Sequence, residues 1–138
     1  MQTDLRLAKQ RLKQKSLTLV TVKRGKVIFE TEIHGISGLL KAIEEHGEEM
    51  KGSSVSDRIV GRAAALLCVY SGVVAVFAIT ASDEGIEVLR KGHVSFEFEQ
   101  RVSFILNSEG TDICPFEKLA SKFSSPKEAY EGLKTACG

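Results

Sequence analysis

The stretch that most constrains the fold is residues 56–80, SDRIVGRAAALLCVYSGVVAVFAIT, whose charged residues all precede Ala63. Small and helix-favouring residues fill 63–68, Ser71-Gly72 breaks the run, and an uncharged β-branched run follows over 73–79. A run that is apolar on both sides predicts a strand buried on both faces of a sheet. The glycine interrupts it before the ~20 apolar residues that a membrane helix needs. We therefore expect a buried helix, entered at Asp57 and Arg58, that leads into a central strand.

The composition limits the classes of protein to consider. A chain of 138 residues predicts one domain over 1–138 with a core of its own. Its net charge of +1 and its lack of Trp argue against binding to nucleic acid or to a membrane surface. Cys68, Cys114 and Cys137 are odd in number and show no paired spacing, which is typical of a reducing compartment. Since the basic first residues lack the apolar segment of a secretory signal, we expect a cytoplasmic protein, and we leave homo-oligomerisation open.

Hydrophobic periodicity predicts the order of the elements. A basic amphipathic helix over 2–14 precedes a β-hairpin that turns at Gly25, and a helix over 35–50 follows. After the central strand, Ser82 caps a helix, a strand begins at 93, and helical spacing over 98–106 predicts a short helix. Pro115 and Pro126 open two more helices. We expect an α/β fold, a three-layer α-β-α sandwich with a mixed sheet of four to five strands and helices on both faces.

Two predicted helix starts, at Asp57 and at Cys114, hold the residues most suited to chemistry. A helix N-terminus offers free N–H groups and a partial positive charge, which favour a bound anion and a thiolate. Cys114 is therefore a candidate nucleophile with Glu117 beside it, or only a small buried apolar residue. Asp57 is a candidate base or polar anchor, or only a helix cap. If both helix starts converge, they form a polar crevice at one end of the sheet, where open α/β sheets bind ligands.

Three further residues near the first helix start are candidate ligand contacts. Arg58 or Arg62 would contact an anion, and Gly61 would allow a ligand or a neighbouring backbone to approach closely. Three scattered histidines and the absence of a CxxC or HxxxH motif predict no metal site. No phosphate loop or GxGxxG motif is present either, so we expect no cofactor.

Three segments of the sequence resemble a known family: DRIVGRAAA at 57–65, Asn107, and GTDICPFE at 110–117. Over nearly its whole length the chain resembles the family of small prokaryotic domains of unknown function numbered 1893. That family looks like a divergent member of the cytidine deaminase-like fold, whose helices carry the active-site motifs at their N-termini. The resemblance adds Asn107 and Thr111 as candidate ligand-binding residues.

The departures from the deaminase pattern decide the expected function. Zinc deaminases use H-x-E on one helix and P-C-x-x-C on the next. Here residues 53–72 contain no His and no Glu, and the second motif reads CPFE at 114–117. Catalytic zinc needs three protein ligands and an open position, so we expect no zinc-dependent deamination. We expect a small-molecule pocket between the two helix starts, with a nucleotide-related compound as one candidate ligand. The alternative is a thiol-dependent enzyme with Cys114 as nucleophile and Asp57 and Glu117 as acid–base groups.

Overall fold

The computed structural model describes residues 2–137, which form helices around one mixed sheet. The helices are α1 (Gln2–Gln14), α2 (Ser37–Met50), α3 (Arg62–Ser71), α4 (Asp83–Lys91), α5 (Pro115–Ala120) and α6 (Pro126–Cys137). The strands are β1 (Leu19–Lys23), β2 (Lys26–Thr31), β3 (Ser54–Val60), β4 (Ala75–Ser82) and β5 (Ser95–Val102). Among these helices, none combines the length and the apolar character needed to cross a bilayer.

The sheet has five strands in the order β2-β1-β3-β4-β5. Strand β1 is antiparallel to both β2 and β3, whereas β4 is parallel to both β3 and β5. The carboxyl ends of β3, β4 and β5 therefore lie at the same edge, where α3 and α4 begin. The predicted α/β class with a mixed sheet of four to five strands is confirmed.

Helices cover both faces of the sheet, but unequally. Helix α1 covers one face alone, with a small core of Leu5, Ala8, Leu12, Leu17, Val20, Val22, Ala75 and Phe77. The other face carries the larger core, to which helices α2 to α6 all contribute buried residues. Side chains of β3 alternate between the two cores, since successive residues of a strand point to opposite faces. The layered sandwich is therefore confirmed, with one helix on one side and five on the other within residues 2–137.

Several local signals are confirmed. The hairpin turns at Gly25, where φ is +76°, a value that glycine adopts without a steric penalty. Ser82 caps α4, because its Oγ accepts a hydrogen bond from the backbone N of Gly85 at 3.0 Å. Pro115 and Pro126 are the first residues of α5 and α6. These features depend only on neighbouring residues, and their sequence patterns predict them correctly.

Asp57 and Arg58 lie in strand β3, so the prediction that they open a helix was wrong. Strand β3 pairs with β1 and β4 and supplies the centre of the sheet. Its buried polar side chains hide the strand pattern: Ser56, for example, is fully buried and donates from Oγ to the carbonyl oxygen of Ala8 in α1 at 2.7 Å. Helix α3 begins at Arg62 instead, with Gly61 as its N-cap residue.

The predicted helix over 98–106 was also wrong. Strand β5 continues to Val102, which pairs with Ser82 at the end of β4. The ladder with β4 supplies backbone hydrogen bonds that outweigh the local helical spacing. Between β5 and α5 the chain forms no helix, and its one regular feature is an isolated antiparallel β-bridge between Leu106 and Ile113.

Replacing Thr21 with valine should stabilise the protein. The Thr21 hydroxyl is buried and lacks a hydrogen-bond partner within residues 2–137. Valine keeps the shape and removes the cost of burying the hydroxyl, so we expect Thr21→Val to raise the free energy of unfolding by about 1 kcal/mol, measured in urea. Thr18→Val is the matched control, because the Thr18 hydroxyl lies 3.0 Å from the oxygen of Thr31 and 2.7 Å from that of Ile33. If Thr21→Val lowered the free energy of unfolding as much as Thr18→Val does, the Thr21 hydroxyl would not be an unsatisfied buried group.

Candidate functional site

The carboxylate of Glu117 lies on the N-terminus of α3. Its Oε1 accepts a hydrogen bond from the backbone N of Arg62 at 2.7 Å, and its Oε2 accepts one from that of Ala63 at 2.9 Å. First-turn N–H groups have no partner within their own helix. The positive end of the helix dipole also favours a carboxylate there. Glu117, a residue of α5, thus satisfies the start of a helix that is distant in sequence.

Gly61 leaves the space that this carboxylate occupies. A Cβ atom at Gly61 would lie 2.1 Å from Oε1 of Glu117 and 2.5 Å from its Cδ. The φ angle of Gly61 is −102°, which any residue adopts, so the position requires space and not conformational freedom. The group that approaches Gly61 is therefore a side chain of the protein itself.

Arg62 makes the reciprocal contact from α3 to the end of α5. Its Nε donates to the carbonyl oxygen of Ala120 at 3.0 Å, and its Nη2 donates to that of Phe123 at 2.7 Å. Carbonyl groups at a helix C-terminus need such donors. We call the arrangement of Arg62 and Glu117, each capping the other's helix, the α3–α5 clamp. It engages the Arg62 guanidinium that the sequence predicted as an anion contact.

Arg58, the other predicted anion contact, reaches α1 on the opposite face of the sheet. Its Nε donates to the carbonyl oxygen of Leu17 at 2.6 Å, and its Nη2 donates to that of Leu12 at 3.2 Å. These carbonyls lie at the end of α1 and just beyond it. The structure therefore does not bring the Arg58 guanidinium to Glu117.

Asp57 lies on the same side of β3 as Val55 and faces the larger core. Burial raises the pKa of Asp57 to about 7, although the backbone N–H groups of Ile59 and Arg58 oppose the rise. Burial, with a contribution from the charge of Asp57, also raises the pKa of the Cys68 thiol. Between residues 2 and 137 the structure shows no hydrogen bond from Asp57 to a side chain of α5.

Cys114 is the N-cap residue of α5 and is half-buried. Its backbone N donates to the oxygen of Ile105 at 2.9 Å, and its carbonyl oxygen accepts from the backbone N of Glu117 at 2.9 Å. The two resemblance-derived residues shape the loop before it: Asn107 Oδ1 accepts from the backbone N of Thr111 at 3.0 Å, and Asn107 Nδ2 donates to Thr111 Oγ1 at 3.2 Å. The structure thus groups Glu117 with Gly61 and Arg62, whereas Arg58 bonds to carbonyl groups on the opposite face of the sheet.

Two cavities flank the clamp. The smaller, of about 160 Å³, lies at the carboxyl ends of β4 and β5, and we call it the Glu117 crevice. It is lined by Ser82, Glu84, Ser103, Phe104, Ile105, Ile113, Glu117, Lys118 and Ser121. The larger, of about 390 Å³, lies between α3, α4 and the start of α6 and shares Glu84 with the crevice.

The charge in the crevice is shaped by its two carboxylates. Burial raises the pKa of Glu117 above its ordinary value; the backbone N–H groups of Ala63 and Arg62 oppose the rise, and the charge of Glu84 adds to it. Sequence reasoning missed Glu84 and Phe104. Glu84 could have been found from its position just after a buried strand, at the edge where α/β sheets bind ligands, whereas Phe104 had no such signal.

The residues around the clamp do not fit a deaminase zinc. Catalytic zinc needs three protein ligands and an open position. Glu117 directs both carboxylate oxygens to backbone N–H groups, and within residues 2–137 no three His, Cys, Asp or Glu side chains are grouped so that they could hold a metal ion. The described residues around the clamp therefore offer no ligand set for a deaminase zinc.

Replacing Gly61 with alanine should test the contact with Glu117. The new Cβ would displace the carboxylate, so we expect Gly61→Ala to lower the free energy of unfolding by about 1–3 kcal/mol in urea. In a Glu117→Ala background the same substitution should cost much less, because nothing remains to clash. The double-mutant cycle should therefore give a coupling of about 0.5–3 kcal/mol. Additive losses would show that the two residues are not in contact.

The titration of Asp57 should make stability depend on pH. Between its ordinary pKa of 3.8 and its folded pKa of about 7, the native state holds a proton that the unfolded chain has lost. The free energy of unfolding should therefore fall as pH rises through this window. We expect Asp57→Asn to match the parent at pH ~4 and to exceed it by about 2 kcal/mol at pH ~8, allowing for partial exposure.

Asp112→Asn is the control for that titration. Asp112 is exposed and pairs with Lys118, and this partner lowers the pKa of its carboxyl group. Its replacement should bring no gain at high pH. A parent protein whose stability rises between pH ~4 and ~8 while Asp57→Asn does not would contradict the assignment.

Comparison with known proteins places this fold. A family model described as TM1506, a domain of unknown function (DUF1893), matches residues 7–136. The crystal structure of the DUF1893 protein TM1506 from Thermotoga maritima is similar to this chain, with 26% identity, a TM-score of 0.90, and coverage of 99% of this chain and 91% of that one. No curated protein matches the chain in sequence.

Solved deaminase structures share the fold at lower identity. A dCMP deaminase from cyanophage S-TIM5 has 14% identity and a TM-score of 0.51, covering 70% of this chain and 94% of that one. RibD from Acinetobacter baumannii has 18% identity and a TM-score of 0.53, covering 89% of this chain and 38% of that one. These similarities confirm the cytidine deaminase-like architecture, and the family match confirms the predicted resemblance to that family. The chain belongs to the DUF1893 family of domains of unknown function.

Proposed function

We propose that this protein binds a small amino-bearing heterocycle, of the nucleobase class, in the Glu117 crevice and without a metal. The observation that carries the proposal is the pair of carboxylates, Glu84 and Glu117, in a crevice at the carboxyl ends of β4 and β5. Open α/β sheets bind their ligands at this edge. Glu117 is a lining residue whose pKa is raised, and a titratable group perturbed in this way within a cleft marks a candidate binding site.

The lining favours a ligand that donates hydrogen bonds. Carboxylates accept N–H donors and repel phosphate groups. The nearby cations do not reverse this preference, because Arg62 bonds to α5 and Lys118 pairs with Asp112. The ring of Phe104 is 56% exposed at the crevice and offers a face for stacking.

The size of the crevice limits the ligand to about one ring. Liquid water takes up about 30 Å³ per molecule, so the space corresponds to about five waters. A whole nucleotide would have to extend beyond it, with its phosphate away from Glu84 and Glu117. The dCMP deaminase of cyanophage S-TIM5 was crystallised with dCMP and dUMP. That fold-level likeness supports a pyrimidine as the first compound to test.

The thiol-dependent alternative has less support. Cys114 lines neither of the two cavities. Asp57 lies on β3, with no hydrogen bond to α5 within residues 2–137. The nucleophile role of Cys114 stays a prediction, and the binding experiment below distinguishes it.

A matched pair of ligands tests the proposal. Cytosine carries an amino group where uracil carries a carbonyl oxygen, and an acceptor nitrogen at N3 where uracil carries N3–H. The carboxylates would bind the amino group and repel the carbonyl oxygen, so we expect cytosine to bind at least about tenfold more tightly in calorimetry and to raise the melting temperature more. Phe104→Ala should weaken cytosine binding about tenfold through lost stacking. Phe98→Ala is the control, since that ring is exposed outside the crevice.

Three results would count against the proposal. Binding of neither base at millimolar concentration would overturn it, and so would a preference for uracil. A loss of binding in Cys114→Ser, with Phe104→Ala unaffected, would favour the thiol-centred alternative. We expect Cys114→Ser to bind cytosine like the parent.

A further inference from the structure

Strand β5 lies at the edge of the sheet, and the backbone N–H and C=O groups on its outer side do not bond to β4. The backbone N of Ser95 donates to the oxygen of Val74 at 3.0 Å, so Ser95 directs its backbone groups toward β4. Backbone groups alternate along a strand. The residues that direct N–H and C=O groups to the outer edge are therefore Phe96, Phe98, Gln100 and Val102. Within residues 2–137 no strand pairs with that edge.

The edge lacks the features that normally prevent strand pairing. Proteins protect exposed edges with Pro, with unpaired charged side chains, Lys above all, with bulges or with short strands. Strand β5 has eight residues without Pro, Gly or Lys, and Phe98 is 37% exposed. Its two glutamates are neutralised by α1, because Glu97 pairs with Lys9 at 2.9 Å and Glu99 pairs with Lys13. Arg101 pairs with Asp83 of the same chain at 2.6 Å, so all three charged side chains of β5 have partners within the chain. A second strand could therefore approach this edge without meeting unpaired charge.

We propose that β5 pairs in antiparallel register with β5 of a second copy of this chain, around a two-fold axis at Gln100. This register places Glu99 opposite the partner's Arg101 on one face. On the other face it places Phe98 opposite the partner's Val102, and both copies of Gln100 face each other. Opposite charges and apolar pairs directly across a ladder are stabilising.

The charges of β5 select this register among its neighbours. A two-fold axis at Glu99 would place both copies of Glu99 opposite each other. An axis at Phe98 would place Glu97 opposite the partner's Glu99. Like charges directly opposite are destabilising. Of these three, only the axis at Gln100 gives two opposite-charge pairs and no like-charge pair. The inference is independent of the proposed ligand.

A charge swap tests the pairing. The parent should show twice the monomer mass of 15.1 kDa by light scattering at high concentration, with dissociation in the micromolar range expected of a small interface. Arg101→Glu should weaken the dimer at least about tenfold, since it faces the partner's Glu99. The double variant Glu99→Arg, Arg101→Glu restores opposite charges and should recover dimerisation.

The control for the swap is Glu97→Arg. It removes an ion pair with α1, as Glu99→Arg does, but Glu97 lies opposite the partner's Ser103 in the proposed register. We expect this variant to remain dimeric. Its dissociation would overturn the register, because an axis at Glu99 would pair Glu97 with the partner's Arg101.

Two backbone tests locate the axis. Gln100→Cys, with Cys114 and Cys137 replaced by serine, should form an intermolecular disulfide, because Cα atoms of a hydrogen-bonded antiparallel pair lie ~5.5 Å apart. Glu99→Cys should not. Gln100→Pro removes only an outward N–H, so it should abolish the dimer and leave the urea midpoint of the monomer unchanged. A monomeric parent at ~0.5 mM, or a Gln100→Pro variant that still dimerises, would overturn the proposal.

Discussion

The α3–α5 clamp is the interaction on which the functional end of the fold depends. Helix α5 has six residues, too few to be stable as an isolated helix in water. Arg62 donates to the carbonyl group of Ala120, the last residue of α5, and to that of Phe123 just beyond it, and Glu117 returns the contact by satisfying the first N–H groups of α3. Each helix therefore supplies the charge that the other helix end requires. Gly61 makes the arrangement possible because any larger residue would meet the carboxylate.

This clamp also changes what the fold can do. In zinc deaminases two helix starts converge on a metal. Here the helix starts are joined by a side chain of the protein, so the positive end of α3 is already neutralised. The remaining space lies beside the clamp, where Glu84 and Glu117 give the crevice an acidic lining. A shared architecture with deaminases is therefore compatible with a different ligand chemistry.

The sequence predictions are correct where the contacts join neighbouring residues and wrong where the contacts join residues far apart in the chain. Ser82 was predicted correctly as a cap because its partner is only three residues away. Asp57 was placed on the wrong element because the neighbouring Ser56 is satisfied by α1, through a hydrogen bond that spans 48 residues. Val102 was assigned to a helix because its strand pairing with Ser82 is invisible in local spacing. For the site, Glu117 was singled out from its position, but its partners could not be deduced.

The sequence by itself determined the class of the fold, the hairpin turn at Gly25, the cap of α4 by Ser82, and the two segments that meet at the site, because these follow from periodicity and from contacts between neighbouring residues. Only the tertiary structure decided which partners the charged side chains of those segments bind. Arg58 binds the carbonyl groups of Leu12 and Leu17, whereas Arg62 binds that of Ala120 in α5, although the two arginines are only four positions apart in the sequence. The physical reason is that Arg58 lies on β3 with its side chain toward the face that α1 covers, whereas the chain leaves the sheet at Gly61 and Arg62 begins α3 on the opposite face.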